Sequence, residues 1–160
     1  MQKELNKEEI LSILDQFQPQ KEFIINALHE LQNKHPQHYL SEEILNFTSK
    51  YFNITKGQLF GIVTYYSMFS VTPRGKYLIR LCKSPVCQMM GSAKLVDYLK
   101  SNWQLEANLT SQDGLFTLEL CECLGRCGKA PSMIINEEVY TDLNLKKLEE
   151  ILLNIKQTEL

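Results

Sequence analysis

Apolar positions recur every three or four residues through the first seventy positions, and each such stretch opens on a capping residue, so the pattern predicts helices there. Asn6 with Glu9 has the spacing of a capping box and starts a helix carrying Ile10, Leu11, Ile13, Leu14 and Phe17, which Pro19 should end. A second helix, Lys21 to Lys34, presents Phe23, Ile24, Leu28 and Leu31 before Pro36 breaks the pattern. Ser41, followed by Glu42 and Glu43, starts a third with Ile44, Leu45, Phe47, Tyr51 and Phe52, and Thr55 with Gln58 starts a fourth. Four short amphipathic helices joined by short connections suggest a small bundle.

At "VTPRGK" the period changes, because Pro73 and Gly75 punctuate the chain and "KYLIRLC" is a compact strand run. Strand and helix then alternate: Tyr77 to Cys82 as strand, Ser92 to Trp103 as helix and Leu115 to Cys121 as strand. "SMIINEEVY" reads as a hairpin turning at Asn136 and Glu137, and Leu145 to Ile155 reads as a closing helix. The segment Gln104 to Gly114 is expected to be the loosest loop. The expected fold class is α+β, a helical domain over 1–72 followed by a small α/β domain with a mixed sheet over 73–160.

Composition narrows the function classes. The 160 residues are 44% hydrophobic and 22% charged with 7 Gly and 5 Pro, the profile of a folded chain with a packed core. A formal net charge of -2 gives no basic excess to draw it to nucleic acid or to an anionic membrane. No 18-residue apolar run is present and mean hydropathy is -0.23, so insertion into a membrane is not expected. "MQKELNKEEI" lacks the apolar core of a signal peptide, so a reducing cytoplasm is the expected location and the five Cys are not expected to form a disulfide framework.

All five Cys lie in the second half, as Cys82-x4-Cys87 in "CKSPVC" and as Cys121, Cys123 and Cys127 in "CECLGRCG". Both clusters follow strand runs, so neighbouring loops could present four sulfurs to one centre, with Pro85, Gly125 and Gly128 supplying irregular backbone. Structural zinc favours Cys-x2-Cys knuckles, whereas the wider spacings suit a two-iron cluster whose ligand pairs reach different irons. Iron–sulfur, zinc and unliganded structural thiols all remain open on spacing alone, and a Cys-x-x-Cys redox dithiol is absent.

The ordered set "GIVTYYSMFSVTPRGKYLIRLCKSPVC", "GSAKLVDYL" and "CLGRCGKAPSMIINEEVYTDL", within residues 20–155, resembles the small thioredoxin-like [2Fe–2S] subunit of NADH-dehydrogenase-type complexes, a family that includes the corresponding subunit of respiratory complex I. That family also serves NAD(P)-linked and electron-bifurcating hydrogenases and NAD-dependent formate dehydrogenases. The resemblance implies a thioredoxin-like second domain and one [2Fe–2S] cluster on Cys82, Cys87, Cys123 and Cys127, with Cys121 outside the set. It also implies that FMN and NAD(P) sit in a flavoprotein partner subunit, that further iron–sulfur subunits complete a hetero-oligomeric complex, and that this chain transfers electrons without catalysing bond-breaking chemistry alone. Such a complex would be cytoplasmic or on the cytoplasmic side of a membrane. The alternatives are a free-standing thioredoxin-like [2Fe–2S] ferredoxin and a zinc-stabilised binding module. Two departures stand out: Arg126 where the family has a small residue, and "CKSPVC" followed by "QMM" in place of small, Gly-containing and aromatic residues. Lys83 and Lys129 add further charge beside the thiols.

The remaining candidates have plainer explanations. Helical spacing makes Phe60, Tyr65, Tyr66 and Phe69 core or an interdomain seam, and Trp103 a core or interface anchor. His29, His35 and His38 are scattered away from the Cys clusters and read as surface or packing residues. No GxGxxG fingerprint and no P-loop appear, so no nucleotide site is expected in this chain.

Overall fold

The computed structural model describes residues 4–159; the first three residues and Leu160, which open and close the two expected domains, lie outside the described residues. The chain divides into two compact units, Met1–Arg74 and Gly75–Leu160.

Among the described residues the first unit holds four α-helices, α1 (Lys7–Leu14), α2 (Ile24–Lys34), α3 (Glu42–Tyr51) and α4 (Lys56–Tyr65), with a 3-10 turn, Lys21–Phe23, leading into α2. Their starts are set locally. The Glu9 N–H donates to the Asn6 side chain at 2.9 Å while the Asn6 N–H donates to the Glu9 carboxylate at 2.8 Å, a closed capping box. Thr55 and Gln58 repeat it on α4, and the Ser41 hydroxyl accepts the Ile44 N–H on α3. Ile10, Leu14, Leu28, Leu31, Leu40, Ile44 and Leu59 are fully buried together, each contributing roughly 1.5–3 kcal/mol by leaving water. A buried amide ties the return path: Gln32 donates to the Met68 carbonyl at 3.0 Å and accepts the Ser70 N–H at 2.8 Å. His35, 1% exposed, bonds Glu4 at 2.9 Å, and this contact first, then Tyr39, holds the Glu4 carboxyl below its usual range.

Two expectations change here. Helix α1 ends at Leu14 rather than near Pro19, because Gln16 and Phe17 switch to bonds with carbonyls three residues back, yet Phe17 still packs on the core. The aromatic run also divides. Phe69 is buried and Tyr66 packs against the core, whereas Phe60 is 51% and Tyr65 81% exposed, since Leu59 and Val63 take the inward face of α4.

The second unit holds β1 (Tyr77–Cys82), α5 (Pro85–Met89), α6 (Ser92–Trp103), β2 (Phe116–Cys121), β3 (Met133–Ile135), β4 (Glu138–Tyr140) and α7 (Leu145–Thr158). The sheet order is β2-β1-β3-β4, with β1 and β2 parallel and the other pairs antiparallel. This is the mixed sheet of a thioredoxin-like fold, and α5 and α6 lie within the crossover that a parallel pair requires. Alternation places Ile79, Leu81, Leu118, Met133 and Ile135 in one core with Leu95, Leu99, Leu148 and Leu152. Trp103 packs against that core edge-on to Phe116. Asn136, with φ of 53°, turns the hairpin, and its side chain accepts the Leu78 N–H at 2.9 Å.

The segment 104–114 is not loose. Ala107 bridges Leu118 and Thr110 bridges Thr117, and the Asn108 N–H donates to the Leu118 carbonyl at 2.6 Å. Strand β2 is an edge of the sheet, and this segment covers its otherwise unpaired backbone. Among the described residues no helix is long and apolar enough to cross a membrane.

Candidate metal centre

The parallel register of β1 and β2 sets Cys82 opposite Cys121, so both strands release their following loops side by side. After β1, Ser84 is extended and Pro85 takes the first turn of α5, where the missing N–H costs nothing, and Cys87 lies within that helix. After β2 the chain passes Gly125, at φ of 72°, into a single 3-10 turn, Cys127–Lys129, and then the cis bond between Ala130 and Pro131. The Cys82 N–H donates to the Ser132 carbonyl at 3.1 Å and the Lys83 N–H to the Cys121 carbonyl at 2.9 Å, which fastens both loops to the sheet.

These loops bring four thiols into one group. Cys82 and Cys87 are each 1% exposed, whereas Cys123 and Cys127 are open to solvent with their sulfurs 3.4 Å apart. Burial works against the Cys82 thiolate, but the Ser84 hydroxyl and N–H, the Cys87 thiol and the Leu124 N–H outweigh it and lower the Cys82 pKa. The Gly125 N–H points at the Cys123 sulfur at 3.4 Å and, with Cys127, lowers that thiol too. Cys127 moves the other way, raised first by its bond with Cys123, and it also feels Cys87 and Cys82. Cys121, at the end of β2, packs half-buried against Cys82 and Cys87. Burial first, then the neighbouring Cys82, pushes its thiol up to about 11.

Four thiols in two pairs suit a two-iron cluster, which takes one pair per iron. Structural zinc favours closely spaced Cys-x2-Cys knuckles, and neither pair here has that spacing. The donor set therefore fits an iron–sulfur cluster.

Around the thiols, Lys83 pairs with Glu122 at 3.2 Å, while Arg126 and Lys129 are exposed. Arg126 has no ion-pair partner among the described residues. The three His all belong to the helical unit. Two hydroxyls that the sequence does not single out lie against the sulfurs: Ser84 Oγ is 3.1 Å from Cys82 Sγ and Ser132 Oγ is 3.8 Å from Cys87 Sγ. Ser84 could have been noticed two places after Cys82, but Ser132 is 45 residues from Cys87 and carries no local signal.

Known proteins resemble this chain in sequence and in fold. The family model for the thioredoxin-like [2Fe-2S] ferredoxin matches residues 10–156. The chain is 30% identical over 135 residues to NADP-reducing hydrogenase subunit HndA of Solidesulfovibrio fructosivorans, covering 84% of this chain and 78% of that one. It is 31% identical over 139 residues to the NADH-quinone oxidoreductase E subunit of Aquifex aeolicus, covering 87% and 86%. A crystal structure of NAD+-reducing [NiFe]-hydrogenase in the air-oxidized state shares the fold, with a TM-score of 0.74 at 20% identity over 85% of this chain. The match spans only 23% of that hydrogenase chain. With a match over nearly its whole length and a mixed sheet whose parallel strands deliver four thiols to one place, the chain belongs to the thioredoxin-like [2Fe-2S] ferredoxin family.

Proposed function

We propose that this chain is an electron-transfer subunit that holds one [2Fe–2S] cluster on Cys82, Cys87, Cys123 and Cys127. In this reading it works beside an FMN- and NAD(P)-binding flavoprotein subunit, with further iron–sulfur subunits, in a cytoplasmic NAD(P)H-linked oxidoreductase complex. The observation that carries it is the convergence of two thiol pairs at the ends of parallel β1 and β2, one pair buried and one exposed. The names of the relatives, a hydrogenase subunit and a quinone-oxidoreductase subunit, support the complex.

The cluster, when bound, supplies one-electron redox chemistry that can divide a two-electron flavin step. Cys82 and Cys87 would anchor it from the protein side and exclude water there, because both are buried. Cys123 and Cys127 would hold its outer edge, where a redox partner can come close. The Gly125 N–H would donate to the Cys123 sulfur and stabilise negative charge on it.

Iron and acid-labile sulfide analysis, with electron paramagnetic resonance (EPR) after reduction, tests the cluster; a colourless zinc-loaded protein would sink it. Co-purification with a flavin-containing subunit separates a complex subunit from a free-standing ferredoxin. Two further outcomes are expected. Calorimetric titration of cluster-loaded protein with NADH and NADPH should give no saturable binding, since the chain lacks a nucleotide fingerprint. Arg126→Ala should lower the cluster's midpoint potential by roughly tens of millivolts at most, because an exposed cation favours the more negative reduced state through screened solvent. An unchanged potential with weakened assembly would assign Arg126 to a subunit interface instead.

A further inference from the structure

We propose that Ser84 and Ser132 donate hydrogen bonds to the iron-bound thiolates of Cys82 and Cys87 and thereby raise the cluster's potential. The proposal rests on the electron-transfer reading above and names the residues of this chain that tune it.

Both hydroxyls are buried, Ser84 at 8% and Ser132 at 1% exposure, and a buried hydroxyl without a partner is costly. Ser84 occupies the N-cap of α5, where a serine ordinarily accepts a backbone N–H of the first turn. It makes no such bond. Its oxygen turns instead to Cys82 Sγ at 3.1 Å. Ser132 is fixed differently: its carbonyl accepts the Cys82 N–H at 3.1 Å, which locks the residue against β1 with its hydroxyl 3.8 Å from Cys87 Sγ.

In a free thiol either atom of such a pair can donate. A thiolate bound to iron has no proton, so each serine must be the donor. Hydrogen bonds to ionised acceptors are the stronger kind, and reduction increases the negative charge carried by the sulfurs. A fixed donor therefore stabilises the reduced form more than the oxidised one. The two serines act on the two buried thiols, Cys82 and Cys87.

The test uses the full chain loaded with its cluster. Redox titration followed by EPR should give a lower midpoint potential for S84A and for S132A than for wild type, and a wild-type value for S84T, which keeps the hydroxyl. Electron-nuclear double resonance of the reduced cluster, in water and in deuterium oxide, should lose one exchangeable proton coupling in each alanine variant. A packing role alone would change cluster retention without moving either readout. If S84A fails to hold the cluster, S132A and S84T still decide. Unchanged potential and unchanged proton couplings in S132A, or an S84T potential displaced as far as that of S84A, overturn the proposal. Failure of the electron-transfer reading itself looks different: wild type would then show no reducible two-iron signal.

Discussion

Cys→Ser replacement at any one of positions 82, 87, 123 and 127 is expected to abolish cluster incorporation or reduce it severely, while Cys121→Ser leaves it near the wild-type level. A serine alkoxide is a poor substitute for thiolate at a soft iron–sulfur site, and each position supplies a quarter of the donor set. Cys121 differs by its place. It is the last residue of β2, opposite Cys82 in the ladder, whereas Cys123 and Cys127 lie on the following loop with their sulfurs 3.4 Å apart. Iron and sulfide content per chain is the measurement, and full loss at Cys121 with retention at Cys123 would reverse the assignment. The four variants should also separate by stability of the cluster-free protein. Cys82 and Cys87 are buried, so a hydroxyl there is expected to cost about 1–3 kcal/mol if it finds no partner. Cys123 and Cys127 are exposed, and serine there should leave the stability of the cluster-free chain at the wild-type level.

Gly75→Ala is expected to destabilise the second unit by about 1–3 kcal/mol, lowering its Tm by roughly 5–20 °C. An added Cβ would stand 2.8 Å from the Phe116 carbonyl carbon and 2.9 Å from both the carbon and the oxygen of the Leu115 carbonyl. All three are backbone atoms at the start of β2, so no flexible side chain can move aside. The same approach lets the Gly75 N–H donate to Thr117 Oγ1 at 2.6 Å, and that hydroxyl in turn meets Thr110 at 2.8 Å. A shift at Gly75 therefore disturbs the segment that covers the sheet edge. Gly61→Ala is the control of opposite sign. It lies inside α4 with nothing within 4 Å of its would-be Cβ, so alanine should add about 0.5–1 kcal/mol through backbone entropy and helix propensity. Thermal unfolding of both variants checks the pair, and a Gly75→Ala protein that melts with wild type would refute the close-approach argument.

Much of the helical unit is legible in the sequence because its signals are local. A capping box spans four consecutive residues, so Asn6 with Glu9 and Thr55 with Gln58 announce helix starts wherever the helices later pack. The hairpin turn at Asn136 is legible for the same reason. The order of segment 104–114 is not, because it comes from bonds to β2, formed across a turn that the segment's polar composition disguises. The exposure of Phe60 and Tyr65 escapes the pattern too, because helical spacing says which residues share a face but not which face turns inward.

At the candidate centre, residue type and spacing by themselves determined that the second half of the chain concentrates its thiols on two loops that follow strands, and the resemblance named the four. Tertiary structure decided the rest. The parallel pairing of β1 with β2 brings two distant loops to one end of the sheet, and packing with Ala130, Cys121 and Leu124 buries Cys82 and Cys87 while Cys123 and Cys127 stay open. Ser132 could gain its place beside Cys87 only through the antiparallel addition of β3 to β1. Gly75 likewise reads in the sequence as a break between domains, and only the packed backbone shows that its missing side chain is needed for contact with β2. Local chemistry depends on neighbours in the chain and so can be read from it, whereas burial, close approach and second-neighbour hydrogen bonds depend on which strands pair, and no short stretch of sequence contains that choice.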